Sequence, residues 1–223
     1  ICPEKKIEVI PLGFDLERFN TDKDSKRKEF RKKWNLKENE IAIGIIGRLV
    51  PIKNHKFFID AIQEVLKKSE VPIRAFIVGD GEEKQNIINY IKNKNLDFSL
   101  DYNSATFHLT SWVKEIDRVN SGMDIICLTS LNEGTPVSLI EAQASGKPIV
   151  STKTGGIENI VLENKTALLS KKNDLHNFSK NLLSLVNDSN KRKLLSKFGL
   201  EKSKDFHYDQ LVNNIKKLYE NKL

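Results

Sequence analysis

Apolar residues in this chain fall into short continuous runs, separated by stretches in which they recur every three or four positions. The runs are IEVIP (7–11), IAIGIIG (41–47), IRAFIVG (73–79), ATFHLT (105–110), DIICLTS (124–130), PIVST (148–152) and TALLS (166–170). The first reads as a strand within a linker. The others are unbroken rather than alternating, the pattern of strands buried on both faces. Between them, NHKFFIDAIQEVLKK sets Phe57, Phe58, Ala61, Ile62, Val65 and Leu66 at helical spacing. EEKQNIINYIKN, VKEIDRVNSG and a segment entered at Pro136 also read as helices. Such alternation predicts an α/β fold, a doubly wound Rossmann-like parallel sheet with helices on both faces. Beyond Ser170 the pattern is helical only, over 173–187, 190–203 and 208–221, and residues 95–107 give no regular pattern. No repeat or low-complexity linker divides the chain, so one domain over 1–223 is expected.

Composition narrows this picture. A chain of 223 residues, 39% hydrophobic and 30% charged, can bury a sizeable core. No run approaches the roughly 18 apolar residues of a membrane span. The sequence opens at Ile1 and its only methionine is Met123, so it is expected to be a piece of a longer chain. Two cysteines, Cys2 and Cys127, cannot build a disulfide framework, which favours a reducing, cytoplasmic setting. His55, His108, His176 and His207 lack ligand spacing and no C-x-x-C occurs, so no metal is expected. The net charge of +7 is spread through segments such as DSKRKEFRKKWNLK and NKRKLLSKF, where acidic and apolar residues interrupt it. Those are solvated helix faces rather than a polynucleotide site, and no nucleic-acid partner is expected. A basic surface also suits anionic nucleotides or the anionic face of a membrane.

In a doubly wound sheet, ligands bind beyond the carboxyl ends of the strands. Those ends carry GRLVPIK, GDGEEK, TSWVK, SLNEGTP and STKTGGIE. Arg48 and Lys53 on the first strand-to-helix loop could clamp a diphosphate, Arg by its fork and Lys as a point charge. A merely basic surface loop is the other reading. VGDGEEK lacks the third glycine of a dinucleotide fingerprint, which argues against NAD. Gly79 and Gly81 then make a tight turn, either beside a ligand or a plain one. TGGIENIV places Gly155 and Gly156 before a helix whose first turn holds Glu158.

NEGTPVSLIEAQASGKP (132–148) sets two carboxylates, Glu133 and Glu141, about a Gly-Thr-Pro turn. Thr135 can cap a helix whose first position is Pro136. That helix would turn Val137, Ile140 and Ala144 to the core and leave Glu141 at the edge of the stripe. A carboxylate there is costly unless something bonds it. Gly134 lets backbone approach a ligand, and the amides of Thr135, Val137 and Ser138 suit phosphate or sugar oxygens. Across the roughly 7.5 Å rise from Pro136 to Glu141, the carboxylates could serve opposite ends of one extended ligand. Alternatively, both cap or pair with nearby lysines.

GRLVPIKNHKFFIDAI, VGDGEEK and WVKEIDRVNSGMDIICLTSLNEGTPVSLIEAQASGKPIVSTKTGGIENIV together resemble the C-terminal half of retaining glycosyltransferases of the two-Rossmann-domain GT-B kind, the large family-four group. VIPLGFDLERF resembles that family's interdomain linker, with Leu12 where Asn is common. The resemblance covers nearly the whole chain and implies a donor-binding domain of an enzyme that transfers a hexose from a nucleotide-diphosphate sugar. Arg48 and Lys53 would bind the diphosphate. Glu133, assigned as the catalytic residue, would accept bonds from hydroxyls of the donor sugar, lined by Gly134, Thr135 and Val137. Glu141 would grip the ribose hydroxyls, and Val113 with Trp112 would lie against the nucleobase.

The resemblance further implies no cofactor and no metal, Arg48 and Lys53 taking over the metal's role on the leaving diphosphate. Residues 1–20 would be linker, and 207–223 a helix packing on an absent N-terminal domain through Phe206, Tyr208, Leu211, Ile215 and Tyr219. The acceptor, a glycan or lipid-linked, would bind that absent domain, so this piece alone should be inactive. A bacterial cell-envelope or polysaccharide pathway, with peripheral association at the inner face of the membrane, fits the composition. The alternatives are a non-catalytic nucleotide-sugar-binding module and another GT-B enzyme such as an epimerase. Ser111, where a Gly is common, and GGIENI without its usual Pro or Arg leave the donor's identity open.

Overall fold

In the computed structural model, which describes residues 7–220, IAIGII forms strand β1 (Ile41–Ile46), buried at every position. β2 (Ile73–Val78), β3 (Phe98–Ser99), β4 (Phe107–Thr110), β5 (Ile125–Leu128), β6 (Ile149–Lys153) and β7 (Ala167–Lys171) complete one sheet. All its pairings are parallel, in the order β3-β4-β2-β1-β5-β6-β7. Alternate residues of each strand enter opposite cores. Ile43 and Ile45 of β1 face α3 (His55–Leu66), α4 (Lys84–Asn93) and α8 (Leu175–Asn187), whose Phe58, Ile91 and Phe178 are fully buried. Ala42 and Ile46 face α2 (Lys23–Lys33), α5 (Ile116–Gly122) and α6 (Val137–Ala144), through Phe30, Val119 and Ile140. The sheet is covered on both faces, which is why its strands carry no polar alternation.

The remaining helices are α1 (Glu17–Asn20), α7 (Ile157–Ile160), α9 (Ser189–Ser203) and α10 (Tyr208–Glu220). Asp174 and Asp188 start α8 and α9 by accepting from the amides of Asn177 (3.0 Å) and Lys191 (2.9 Å). Those caps fix the boundaries of the helical region beyond Ser170.

Several expectations are corrected. IEVIP forms no strand: Ile7 and Val9 are exposed and residues 7–13 pair with nothing in the sheet. Residues 95–107 contain the two-residue edge strand β3, too short to show a period. The helix expected from Val113 starts only at Ile116, leaving Val113–Glu115 as loop. Phe206 does not join the stripe on α10. It is buried in a preceding 3-10 turn, whose carbonyl accepts from the Phe14 amide at 2.8 Å. Tyr208, Ile215 and Tyr219 are exposed along α10. Cys2 and the last three residues of the expected C-terminal helix lie outside the described residues.

The chain runs from β1 to β2, passes to the edge strand β3 and back to β4 beside β2, then returns to β5 and continues outward to β6 and β7. The direction of winding therefore reverses between β1 and β5, the switch point where a doubly wound sheet opens a crevice. The loops leaving those two strands carry Arg48, Lys53 and Glu133.

Candidate functional site

Five loops meet along the carboxyl edge of the sheet; hydrogen bonds join those after β1, β2, β5 and β6 in pairs, and the Ser111 side chain ties in the loop after β4. The loop after β1 takes two bonds from and to the loop after β2: the Leu49 amide donates to Asp80 O (2.9 Å) and the Glu83 amide to Leu49 O (2.9 Å). A side chain at Gly79 would place its Cβ 2.0 Å from Gly47 O, so only glycine permits this approach. The turn is thus explained by the loop it supports, and that loop carries Arg48. On the other side, the Leu131 amide donates to Ile52 O (2.8 Å), and the Thr129 hydroxyl to Lys53 O (2.9 Å). The loop after β6 braces the loop after β5. Thr152 and Thr154 hydroxyls donate to Ser130 O and Leu131 O, both at 2.9 Å, and the Gly156 amide donates to Glu133 O at 2.9 Å. A Cβ at Gly156 would sit 1.9 Å from Gly134 O.

Glu133 and Lys53, assigned separately from the sequence, meet in an ion pair of 2.6 Å, and the Ser130 hydroxyl donates to the same carboxylate oxygen at 2.5 Å. Pairing with a lysine is one of the two readings the sequence left for Glu133. Arg48 is exposed, and no ion pair engages it among the described residues. Beside the neutralised pair of Lys53 and Glu133, Arg48 is thus a cation without an ion pair among the described residues. Ser130, Thr129, Thr152 and Thr154 were not singled out from the sequence, although the Thr/Ser pairs ending DIICLTS and PIVST mark the places of the first three.

The helix after Glu133 differs from expectation. Pro136 is the residue before the first helical position, and the Thr135 side chain makes no capping bond. Val137 is 37% exposed rather than core-facing, while Leu139, Ile140, Ala142 and Ala144 are buried. Thr135 and Val137 thus face outward beside Gly134. Around Gly134 nothing lies within 4 Å of an added Cβ, so protein packing does not account for that glycine.

Glu141 is half-buried on α6 and, among the described residues, its carboxylate accepts no hydrogen bond and joins no ion pair. Burial pushes its carboxyl up to about 7, Arg18 pulling it back and Asp117 adding to the rise. The reading in which Glu141 pairs with a nearby lysine is not realised. An unbonded carboxylate in such a place is a standing cost.

Beyond β4, Trp112 is 67% exposed while Val113 packs into the core that holds Phe30 and Val119. Both line a groove of 540 Å³ with Trp34, Tyr102 and Arg118. Ser111 has a specific partner: its hydroxyl donates to Asp80 at 2.5 Å. That bond, followed by the Gly81 amide and Lys84, holds the Asp80 carboxyl down to about 2. Alanine at 111 is expected to raise the Asp80 pKa, read by NMR titration of its carboxyl carbon. An unchanged value would transfer the effect to Gly81 and Lys84.

Among the described residues no cluster of three or more metal-ligating side chains occurs, and no helix is long and apolar enough to cross a membrane. Cys127 is buried in β5, where burial pushes its thiol pKa up.

Residues 26–202 match the model of a family described as glycosyl transferases group 1. A UDP-Gal:alpha-D-GlcNAc-diphosphoundecaprenol alpha-1,3-galactosyltransferase from Escherichia coli is 30% identical, over 93% of this chain and 55% of that protein. Spore coat protein SA from Bacillus subtilis is 23% identical over 96% of this chain and 59% of its own length. The chain spans about half the length of the curated relatives it matches. Among solved structures, Anabaena HepE in complex with UDP-glucose superposes with a TM-score of 0.82 at 20% identity, over 96% of this chain and 57% of that one. The C-terminal domain of the group 1 protein LpcC from Francisella tularensis gives 0.70 at 21% identity, over 85% of this chain and 96% of that one. These likenesses match the expected fold, a Rossmann-like sheet of the kind found in the C-terminal half of GT-B glycosyltransferases.

Proposed function

Since the chain belongs to the glycosyl transferases group 1 family, we propose that it is the donor-binding domain of a retaining enzyme that uses a nucleotide-diphosphate sugar. The observation that carries this reading is the unbonded Glu141 carboxylate, on the helix that follows the loop of Glu133. Ribose hydroxyls are donors, and they would offset the cost of burying that group. Relatives and neighbours named for UDP-sugars and UDP complexes support the same ligand class.

In this reading Arg48 takes the diphosphate, and Lys53 exchanges part of its pairing with Glu133 for a phosphate oxygen. Glu133 then turns its free acceptor capacity to hydroxyls of the sugar, with Gly134, Thr135 and Val137 beside it. Trp112 and Val113 meet the base. The bond from the anomeric carbon to the diphosphate breaks, the acceptor hydroxyl oxygen takes its place, and that hydroxyl's proton passes to the leaving diphosphate. Positive groups aimed at the leaving oxygens lower the barrier for the charge that develops there. No cofactor or metal is assigned a role. The glycan or lipid-linked acceptor, the interdomain role of 1–20 and the packing of 207–223 on an N-terminal domain belong to the same proposal. So does the lack of transfer by this chain alone. Cytoplasmic work at the inner face of a bacterial membrane is its setting.

A thermal-shift panel of nucleoside diphosphates, their sugars and the bare nucleosides tests it. Ligand at ten times its Kd adds about 1.4 kcal/mol, a rise of roughly 3–6 °C for a chain of this size. One nucleoside diphosphate should give that rise and its nucleoside almost none. A flat panel would overturn the reading.

A further inference from the structure

At the opposite edge of the sheet, where the chain enters β5 and β6, lies a second groove, of 450 Å³, walled by α2 and α9. Five cations line it: Arg27, Lys147, Arg192, Lys193 and Lys197. Its one carboxylate, Asp124, is already taken, accepting from Arg27 (2.7 Å), Arg31 (3.2 Å) and the Ala42 amide (2.8 Å). The two arginines also serve helix ends. Arg27 donates to Gly122 O and Met123 O (3.3 and 3.2 Å) beyond α5, and Arg192 to Val186 O (2.8 Å) near the end of α8.

The three lysines are not accounted for in this way. Among the described residues the Lys147 ammonium makes a single hydrogen bond, to Ser121 O at 2.9 Å. An ammonium has three donors, so two remain open on a half-buried group. Burial and then Arg27 bring its pKa down to about 7, Asp124 opposing them. Lys193 and Lys197 are exposed, one turn apart on α9, and form no ion pair among the described residues. Like charges at that spacing repel, so the fold gains nothing from the pair. The start of α9 at Ser189 lies in the same groove, but the carboxylate of its cap, Asp188, already accepts from the Lys191 amide there, so the lysines carry the site.

We propose that this groove binds a phosphate dianion, held by Lys147, Lys193 and Lys197 above the two arginines. The ligand class is a phosphate group with at least two negative charges, either free in solution or on the head of an anionic lipid. Its place at the amino ends of β5 and β6 separates it from the nucleotide reading at the carboxyl ends, so either can fail alone.

Inorganic phosphate titrated into the ¹⁵N-labelled chain, against sodium chloride of equal ionic strength, tests the site. Saturable amide shifts are expected at Met123, Lys147, Ser189 and Arg192, and Arg48→Ala should retain them. Lys193→Gln combined with Lys197→Gln, both exposed positions, should weaken binding roughly tenfold. Sedimentation with phosphatidic acid vesicles, set against phosphatidylcholine, distinguishes the sources. Sedimentation that phosphate competes and the double variant loses assigns the site to a lipid head. Saturable shifts without sedimentation assign it to a soluble phosphate. Shifts that chloride reproduces, or that survive the double substitution unchanged, would overturn the proposal.

Discussion

Arg48→Ala is expected to lower the affinity for a nucleoside diphosphate roughly 10- to 150-fold, the loss of one hydrogen bond to a charged group at about 1.5–3 kcal/mol. The side chain is exposed and, among the described residues, unpaired, so its removal leaves no buried partner stranded and the fold should be unaffected. Lys53 cannot compensate fully, because Glu133 holds it at 2.6 Å and competes with the phosphate for it. The bare nucleoside, which has no charge for Arg48 to meet, should bind both proteins with the same weak affinity. Calorimetry with the two ligands separates the outcomes. If nucleoside and diphosphate lose affinity alike, the damage lies in the loop and the clamp is wrong.

The strands with unbroken apolar runs were legible because burial on both faces leaves a mark that does not depend on neighbours. β3 was not, since two residues cannot show a period, and IEVIP misled because apolar composition alone does not supply a partner strand. At the site, the sequence placed Arg48, Lys53, Glu133 and Glu141 on loops and a helix at the right edge of the sheet. It could not show that Lys53 and Glu133 touch, since they are joined only when the loops after β1 and β5 pack side by side. The glycines were readable as turns, but their reason is steric and lies in another segment. Gly79 makes room for Gly47 O and Gly156 for Gly134 O. Gly134 is the contrast, with open space where a side chain would be. Thr135 looked like a cap because its type and spacing fit. The helix begins one residue later than that reading needs, and the hydroxyl has no amide to accept from.

Glu141→Gln should move stability and binding in opposite directions, and both movements should depend on pH. The folded-state pKa of Glu141 is raised to about 7, above its unfolded value, chiefly by burial. A raised carboxyl pKa means that the folded state holds the proton more tightly. The associated stability is present below the unfolded pKa and is lost as pH climbs through about 7. Above that point the ionised group is a burden on the order of 1–3 kcal/mol, discounted for its partial exposure. Glutamine keeps the shape and never ionises. The variant should therefore match the parent in urea denaturation at pH 4 and exceed it by about that amount at pH 8. Binding should run the other way. The ionised carboxylate accepts hydroxyl bonds more strongly than an amide, so the parent should lead by roughly tenfold or more at pH 8 and lose its lead toward pH 6. The diphosphate's own titration is common to both proteins and cancels in the comparison. A variant that gains stability at pH 8 yet binds as well as the parent would leave Glu141 a structural residue. A variant that gains nothing would mean that a bond within the protein already satisfies the carboxylate. Only the crossing of the two effects assigns the buried charge to the ligand.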